Sequence, residues 1–272
     1  MNAASNPAMR SLLFVPGDRA DMIAKVPRWK PDAVVVDLED AVAGADKDSA
    51  RSVAVAAIAR VSHPLVFLRV NAAGTPWHLA DLAAAARAGV AGIALPKVER
   101  PEDLDAAQRS GLSIIGGLET ARGVANARAM CEQPNVVAVY FGAEDFIADM
   151  GGRRTRGGLE VVFARSEVCL AARLAGVPAI DQAVVSVHDE AAFTADAEQG
   201  RALGYQGKIT LHPVQVTLAH RVFTPSEQEV THARAVLAQK TGVGVVDGQM
   251  VDDVHRKMAG QTLARWQQGD QR

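Results

Sequence analysis

The chain has 272 residues, of which 49% are hydrophobic and 22% charged, and 29 Lys and Arg oppose 31 Asp and Glu for a formal net charge of -2. This composition excludes global disorder, and the absence of a basic excess argues against sequence-independent nucleic-acid binding. No apolar run approaches the roughly 18 to 20 residues of a membrane span. Cys131 and Cys169 are too few for a disulfide framework or a structural zinc site. Because residues 1–9 show no charged-then-apolar signal pattern, we expect a cytoplasmic protein.

Short apolar runs rich in β-branched residues recur along the chain, and each precedes an alanine-rich helical pattern. Both faces of these runs are apolar, which is typical of strands that are covered on both sides in a parallel α/β sheet. The eight predicted strands are Leu12–Val15, Ala33–Leu38, Leu65–Val70, Gly92–Leu95, Ser113–Ile115, Val136–Tyr140, Ala183–Val187 and Lys208–Leu211.

Helix start and stop signals separate these runs. Acidic or proline-containing segments precede the predicted helices Ala50–Ala59, His78–Ala88 and Leu104–Arg109. Glycines follow four helical patterns, at the position where a glycine commonly ends a helix. They are Gly89, Gly111, Gly176 and Gly204.

Eight strand–helix alternations in about 250 residues match a (β/α)8 TIM barrel in number and size. A doubly wound open sheet is the alternative, but the first strand is not followed by Gly-x-Gly-x-x-Gly, and the chain has no Gly-Lys-Ser/Thr phosphate loop. We predict a barrel catalytic domain over residues 1–223. Residues 224–272 are predicted to form a C-terminal helical extension with a turn at Val243–Gly248.

Polar and charged side chains follow the carboxyl ends of six of the eight predicted strands. In a barrel these ends share one mouth, which is where catalytic groups lie. A single charge at such a position is ordinarily a turn or helix cap, so the repetition is what indicates a site. Asp37 and Lys97 could instead form buried ion pairs with Arg69 or a neighbouring carboxylate. The residues in question are Asp37, Glu39, Asp40, Arg69, Asn71, Lys97, Glu119, Glu144, Asp145 and His212.

Glu119 and Asp145 follow neighbouring predicted strands, so their carboxylates are expected to lie close together. Such a pair is relieved of its repulsion by a divalent cation, and Mg²⁺ takes oxygen ligands while keeping water that a chelating 2-oxo acid can replace. His188, His212 and His255 lack His-x-x-x-His spacing, which argues against zinc or iron. No Gly-x-Ser-x-Gly elbow or Cys–His arrangement supplies an acyl-transfer nucleophile.

Eight motifs in order along nearly the whole chain resemble the citrate lyase β-subunit-like proteins of the HpcH/HpaI aldolase family. Any one of them alone would be weak, whereas the ordered set is specific. The motifs are Arg10–Arg19, Val35–Val42, Leu68–Asn71, Leu95–Val98, Leu118–Val124, Phe141–Phe146, Gly207–Pro213 and Asp247–Asp252.

The resemblance implies a (β/α)8 barrel, assembled as a homotrimer, that uses Mg²⁺ to make or break a carbon–carbon bond beside a coenzyme A thioester. By motif position, Glu119 and Asp145 would be the metal ligands. Arg69 would hold the oxygen and carboxylate of the 2-oxo acid, and Glu39 and Asp40 would line the same pocket through metal-bound water.

The same resemblance implies further contacts at the edges of the site. Gly142, Ala143 and Glu144 would line the substrate pocket beside Glu119, Arg19 and Lys25 would contact coenzyme A phosphates, and Asp252 would enter a neighbouring subunit's site and handle the proton. Other interpretations stay open: Asp252 could be the N-cap of a helix over Val254–Ala264, and Arg19 and Lys25 could be solvated charges. Arg122 and Arg153–Arg156 are interpreted as surface or loop charges.

Two segments differ from the family pattern, namely Gly116-Gly117 before Glu119 and the basic loop Gly151–Gly158, and both bear on substrate identity. The leading hypothesis is a lyase for malyl-, citramalyl- or citryl-CoA that yields a 2-oxo acid and acetyl-CoA. The alternatives are a citrate lyase β subunit acting on citryl-acyl-carrier-protein, an aldolase for free 2-oxo acids whose expected histidine is not evident, and a catalytically silent binding protein. The intact set of Arg69, Glu119 and Asp145 argues against the last.

Overall fold

A computed structural model describes residues 8–63, 65–239 and 242–270 of the chain. Eight parallel strands pair in sequential order and close on themselves, with helices between them. The predicted (β/α)8 TIM barrel is therefore confirmed. The strands are β1 Ser11–Pro16, β2 Ala33–Asp37, β3 Val66–Arg69, β4 Gly92–Leu95, β5 Ser113–Leu118, β6 Val136–Phe141, β7 Ala179–Asp181 and β8 Gly207–Thr210.

The barrel interior is apolar at its base and charged at its carboxyl-terminal mouth. Side chains two apart on a strand share a face, and Val35 and Phe67 belong to the buried apolar cluster inside the barrel. The next residues on those faces are Asp37 and Arg69, which end β2 and β3. The strand period therefore places these two charges above the apolar core, in the uppermost interior layer.

Helices follow the strands, and most begin and end near the signals in the sequence. The helix predicted at His78–Ala88 has those bounds, and Gly89 ends it with a left-handed φ of +65°. The segment before Arg109 begins as a 3-10 helix, Pro101–Leu104, before it becomes α-helical. The α-helices are α1 Ala20–Ile23, α2 Lys47–Ile58, α3 His78–Ala88, α4 Asp105–Arg109, α5 Ala121–Ala125, α6 Ala127–Cys131, α7 Ala143–Asp149, α8 Val162–Ala175, α9 Glu190–Leu203, α10 Pro213–Phe223, α11 Glu227–Ala238 and α12 Asp253–Asp270.

The seventh strand was predicted wrongly. It was expected at Ala183–Val187, but the structure has β7 at Ala179–Asp181 and leaves Val185 exposed in the following loop. The strand is only three residues long and ends in a charge, so it lacks the apolar run that identified the others. Asp181 is tolerated because two cations neutralise it in the barrel wall.

Those cations form a closed ionic network with Asp181. Arg165 of α8 donates to Asp181 through Nε at 2.8 Å and Nη2 at 2.6 Å, and Lys208 of β8 donates to its Oδ2 at 2.8 Å. Asp196 of α9 pairs with both cations, and Gln182 donates to its Oδ1 at 2.8 Å. Arg165, Asp181 and Lys208 are fully buried, so this network fixes α8 and α9 on the strands.

The chain separates into two compact units, one spanning Met9–Ala219 and the other containing the C-terminal segment from His220. In the latter, α11 starts with a capping box in which Ser226 and Glu229 exchange hydrogen bonds. The segment predicted as a turn, Val243–Gly248, contains a strand that the sequence did not indicate, β9 Gly244–Val246, which pairs antiparallel with β10 Gln249–Val251. Their hairpin turns at Asp247 and Gly248, which have φ of +50° and +77°.

A small apolar core holds this second unit together; it consists of Ala233, Val236, Val246, Val251 and Ala259. Within the described ranges, none of the helices combines the length and apolar character needed to cross a membrane.

Candidate active site at the barrel mouth

A bidentate ion pair joins the ends of β2 and β3. Arg69 donates to Asp37 through Nε at 2.7 Å and through Nη2 at 2.6 Å, as the register of the two strands allows. The guanidinium also lies 5.2 Å from the centre of the Phe14 ring. Burial opposes the charge of Arg69, but the carboxylate of Asp37 outweighs it and raises the pKa of Arg69 well above its ordinary value. Arg69 is thus a permanently charged group with a fixed orientation.

Glu39 lies between two cations. Its Oε2 is 2.9 Å from Nη1 of Arg69, and its Oε1 accepts a hydrogen bond of 2.5 Å from Nζ of Lys97. Burial raises the pKa of Glu39 above its ordinary value, although the charges of Arg69 and Lys97 oppose this shift. The Oε2 atom is buried without a hydrogen bond of acceptable geometry to any described residue, so it has accepting capacity to spare.

Lys97 connects the remaining carboxylates. Its Nζ lies 3.4 Å from Oδ1 of Asp145 and 3.5 Å from Oδ2 of Asp40, and its backbone N–H donates to Oε2 of Glu119 at 3.1 Å. Burial lowers the pKa of Lys97, but the hydrogen bond that it donates to Glu39 and the surrounding carboxylates raise that pKa above the ordinary value overall. The structure therefore brings Glu39, Asp40 and Asp145 together around the ammonium group of Lys97 and Glu119 against its backbone N–H.

Glu119 is the most deeply buried of the four acids. Only 2% of the residue is exposed, and this burial raises the pKa of its carboxyl to about 7, although the charge of Arg69 opposes the shift. Gly142 makes room for it, since a Cβ at that position would lie 2.7 Å from Oε1 of Glu119. Tyr140 is also fully buried, and burial together with the nearby carboxylate of Glu119 raises the pKa of its hydroxyl well above the ordinary value.

The loop that carries Glu39 is anchored from behind by a lysine that sequence reasoning did not select. Nζ of Lys47, in the first turn of α2, donates to the carbonyls of Leu38 at 2.7 Å and Glu39 at 2.6 Å. Asn71 also donates to the Leu38 carbonyl, at 3.2 Å. Lys47 stands in an ordinary helix-start sequence, and nothing in that sequence signals its buried contacts.

The predicted substrate-lining residues Gly142, Ala143 and Glu144 lie where β6 passes into α7. Glu144 is ion-paired with Arg154 of the basic loop, whose Nη1 also contacts Oε1 of Gln182 at 3.4 Å. Arg154 is thus a loop charge, as interpreted from the sequence, and it also forms an ion pair with Glu144. A cavity of about 150 Å³ lies beside this pair, and its lining residues include Arg154, Arg156, Gln182 and Val184.

Arg19 and Lys25 are exposed and lie outside this carboxylate cluster. Both pair with Asp21, Arg19 Nε at 3.0 Å and Lys25 Nζ at 3.4 Å. They follow β1 and so lie at the carboxyl-terminal side of the barrel, but the structure leaves their predicted coenzyme A contacts untested.

Asp252 belongs to the C-terminal unit and caps α12. Its Oδ1 accepts from the backbone N–H of Val254 at 3.0 Å and of His255 at 3.3 Å, as the N-cap interpretation expected. Hydrogen bonds from His255 lower the pKa of Asp252 below its ordinary value. Within a single chain Asp252 is thus an ionised helix cap, and its catalytic role stays a prediction.

The mouth fits an oxygen-liganded divalent cation. Its donors are carboxylate oxygens, Glu39 Oε2 is buried with spare accepting capacity, and the Asp145 side chain is 36% exposed. The described residues hold no group of three or more His, Cys, Asp or Glu side chains arranged to hold a metal. Two carboxylates with water in the remaining positions, the arrangement that suits Mg²⁺, agree with that finding.

A (β/α)8 barrel whose mouth carries an oriented arginine and a carboxylate cluster is typical of an enzyme. The sequence profile of the HpcH/HpaI aldolase/citrate lyase family matches residues 10–213, and the chain belongs to this family.

Named relatives span nearly the whole chain. The citrate lyase subunit beta-like protein of Deinococcus radiodurans is 51% identical over 93% of this chain and 95% of its own length. The (3S)-malyl-CoA thioesterase of Cereibacter sphaeroides is 35% identical over 94% of each. The crystal structure of CitE from Mycobacterium tuberculosis in complex with magnesium, acetoacetate and coenzyme A superposes with a TM-score of 0.86, at 31% identity over 97% of this chain and 99% of that one.

Proposed function

We propose that the protein is a Mg²⁺-dependent carbon–carbon lyase that cleaves, or forms, a 3-hydroxyacyl-CoA thioester of the malyl-, citramalyl- or citryl-CoA type. The products of cleavage are a 2-oxo acid and acetyl-CoA. The observation that carries the proposal is a barrel mouth, in a member of this family, where Arg69 is buried and oriented by Asp37 and where Lys97 contacts both Glu119 and Asp145.

Glu119 and Asp145 are the residues that would hold the metal, as their placement around Lys97 at the mouth supports. When bound, Mg²⁺ supplies Lewis-acid polarisation of the substrate oxygen beside the scissile bond. The complex of Mycobacterium tuberculosis CitE with magnesium, acetoacetate and coenzyme A makes the same combination of ligands reasonable for this chain.

Arg69 would bind and orient the carboxylate of the 2-oxo acid. Its guanidinium gives two parallel hydrogen bonds to Asp37 and still presents Nη1 to the substrate, which lysine would not reproduce. Asp37 holds it from one side, and Glu39 occupies Nη1, so that substrate must compete with Glu39 for that nitrogen. Glu39 and Asp40 would line the same pocket and accept hydrogen bonds from water.

Cleavage breaks the carbon–carbon bond in a step that needs two proton transfers. The substrate hydroxyl gives its proton to water beside Glu39 and Asp40 as its carbon becomes the carbonyl of the 2-oxo acid, and the acetyl-CoA enolate that leaves takes up one proton. We assign that proton to Asp252 of a neighbouring subunit; to donate it at neutral pH, Asp252 must become buried in the assembly. In the condensing direction the same carboxylate removes the proton, and the burial that raises its pKa in the assembly would also make it a stronger base. Arg19 and Lys25 would bind coenzyme A phosphates.

A homotrimer of this kind needs contact surfaces, and each unit exposes an apolar one. On the barrel, Phe163, Leu170 and Leu174 of α8 are exposed at helical spacing. On the C-terminal unit, Val245 and Met250 of the hairpin are exposed. We propose residues 1–223 as the catalytic domain and 224–272 as an extension that packs on a neighbouring subunit; the cytoplasmic location also stays a prediction.

A second candidate function is thioester hydrolysis. It is supported by the similarity of this chain to the (3S)-malyl-CoA thioesterase of Cereibacter sphaeroides. The two reactions give different products from one substrate: cleavage of malyl-CoA yields acetyl-CoA and glyoxylate, whereas hydrolysis yields coenzyme A and malate. Action on citryl-acyl-carrier-protein is a third possibility that needs a carrier protein as substrate.

The deciding experiment incubates the full-length protein with malyl-, citramalyl- and citryl-CoA and Mg²⁺ and separates the products by liquid chromatography. We expect acetyl-CoA and a 2-oxo acid in equal amounts from at least one ester, loss of turnover in EDTA, and recovery with added Mg²⁺. The Glu119→Gln variant should be inactive, while Glu102→Gln, which changes an exposed acid outside the site, should match the native protein. Free coenzyme A and a hydroxy acid as the products would favour the thioesterase, and no turnover by folded protein would refute both.

A further inference from the structure

Lys97 contacts four acidic residues of the site, whereas Asp37 pairs with Arg69. Its Nζ reaches Glu39, Asp145 and Asp40, at 2.5, 3.4 and 3.5 Å, and its backbone N–H reaches Glu119. In the single chain the ammonium group of Lys97 therefore takes the role of a bound metal ion, since it neutralises carboxylates that otherwise repel one another.

The backbone at Lys97 is specialised for this placement. Its φ of +51° is left-handed, a conformation that residues with a side chain seldom adopt. A neighbouring segment supports it, because the N–H of Val98 donates to the Gly117 carbonyl at 3.0 Å. The ammonium group is directed into the carboxylate cluster from a backbone that only the surrounding structure maintains.

One ammonium group carries half the charge of a divalent cation and makes contacts of 3.4 Å or longer with Asp40 and Asp145. It therefore neutralises the cluster incompletely. The two sites overlap at Asp145, which is both a contact of Lys97 and a proposed metal ligand. Mg²⁺ and the ammonium cannot both lie against that carboxylate at close range without repulsion.

We infer that Lys97 is the internal counter-ion of the metal-free site, that a divalent cation must displace its ammonium group from Asp145, and that this displacement weakens metal binding. The inference rests on the proposed metal site at Glu119 and Asp145. Lys97 would then set the metal affinity of the site. The metal could bind and leave reversibly, because Lys97 keeps the carboxylates close together when no metal is bound.

The test measures metal binding without substrate. EDTA-treated, full-length native protein, Lys97→Met and Lys97→Arg are titrated with MgCl₂ by isothermal titration calorimetry, and with MnCl₂ by electron paramagnetic resonance. Methionine keeps the length and apolar stem of lysine without its charge. Lys30→Met is the matched control, because Lys30 is an exposed lysine with a similar left-handed φ of +48° and no ion pair to a described carboxylate.

We expect Lys97→Met to bind Mg²⁺ about tenfold more tightly than the native protein, the scale of removing one nearby charge. Its melting temperature without metal should fall, and saturating Mg²⁺ should raise it further than in the native protein. Lys97→Arg and Lys30→Met should keep native affinity to within about threefold.

Equal or weaker Mg²⁺ affinity in folded Lys97→Met would overturn the inference, and weaker affinity would show that Lys97 arranges the ligands instead. If Lys97→Met folds only with Mg²⁺ present, the counter-ion role is supported. The Mg²⁺ affinity is then measured on Lys97→Gln, with the same expected direction. If the native protein binds neither metal, the proposed metal site itself is refuted, which separates that failure from failure of the Lys97 inference.

Discussion

Two charged clusters in the barrel use the same residue types but differ in how fully they are satisfied. In the wall, Arg165, Asp181 and Lys208 are fully buried, and each makes several hydrogen bonds. At the mouth, Glu39 Oε2 lacks a hydrogen bond of acceptable geometry within the described residues, and the Lys97 side chain is 30% exposed. A saturated network stabilises the fold, whereas a network with unused oxygens beside solvent can receive a ligand.

The largest expected effect is at Glu119. Glu119→Gln keeps the size of the side chain but removes a proposed metal ligand, and we expect lyase turnover to fall by about 10³-fold or more. The variant should remain folded, because it also removes a buried charge. Turnover with Mg²⁺ measures the predicted loss of activity, and circular dichroism checks that the variant is folded. A variant with native turnover would contradict the role of Glu119.

Arg69→Lys separates charge from geometry at the mouth. Lysine retains the charge beside Asp37 and Glu39 but loses the two parallel hydrogen bonds, so we expect kcat/KM to fall by about 10²- to 10³-fold with the fold intact. The effect should be much smaller for substrates without a carboxylate. Full turnover by the variant would show that Arg69 serves the fold alone, as Arg165 does.

Asp181→Asn should give the opposite result. The change leaves Arg165 and Lys208 buried with too little negative charge, and the expected loss is about 3–5 kcal/mol in the free energy of unfolding. Activity per folded molecule should stay near native at a temperature where the variant is folded. Urea unfolding measures the first effect, and a large selective loss of kcat in folded protein would place this network in the site.

The pH dependence of metal-free stability tests the burial of Glu119. Its pKa is about 7 in the folded protein against 4.5 for an ordinary glutamate, so its protonated form favours folding. This contribution is complete below about pH 4.5 and is lost as the pH rises through 7. In EDTA the melting temperature of the native protein should therefore fall relative to that of Glu119→Gln between pH 5 and pH 8, by about 5 °C. Parallel curves for the two proteins would contradict the raised pKa.

Seven of the eight barrel strands overlap the ranges predicted from the sequence. The prediction worked because a strand that is buried on both faces consists of a short run of apolar residues, which can be recognised locally. The prediction failed at β7, where Asp181 is neutralised by residues 16 positions before and 27 positions after it in the chain. The motifs indicated Arg69, Glu119 and Asp145. The charges after the strands allowed an ion pair between Lys97 and a neighbouring carboxylate, but they could not identify that carboxylate as Glu39, which is 58 positions away. They gave no sign that Lys47 supports the Glu39 loop from behind. Such contacts depend on strand order and side-chain length, which no local pattern encodes.

Gly142 limits how this barrel can be engineered. Replacing glycine by alanine is a common route to thermostability, because it restricts the unfolded chain. At position 142 the added methyl group would fall against the side chain of Glu119, and the carboxylate would have to turn aside. A library of stabilised variants screened only for melting temperature could therefore retain this substitution in proteins that have lost their chemistry, so any such screen needs a turnover assay from its first round.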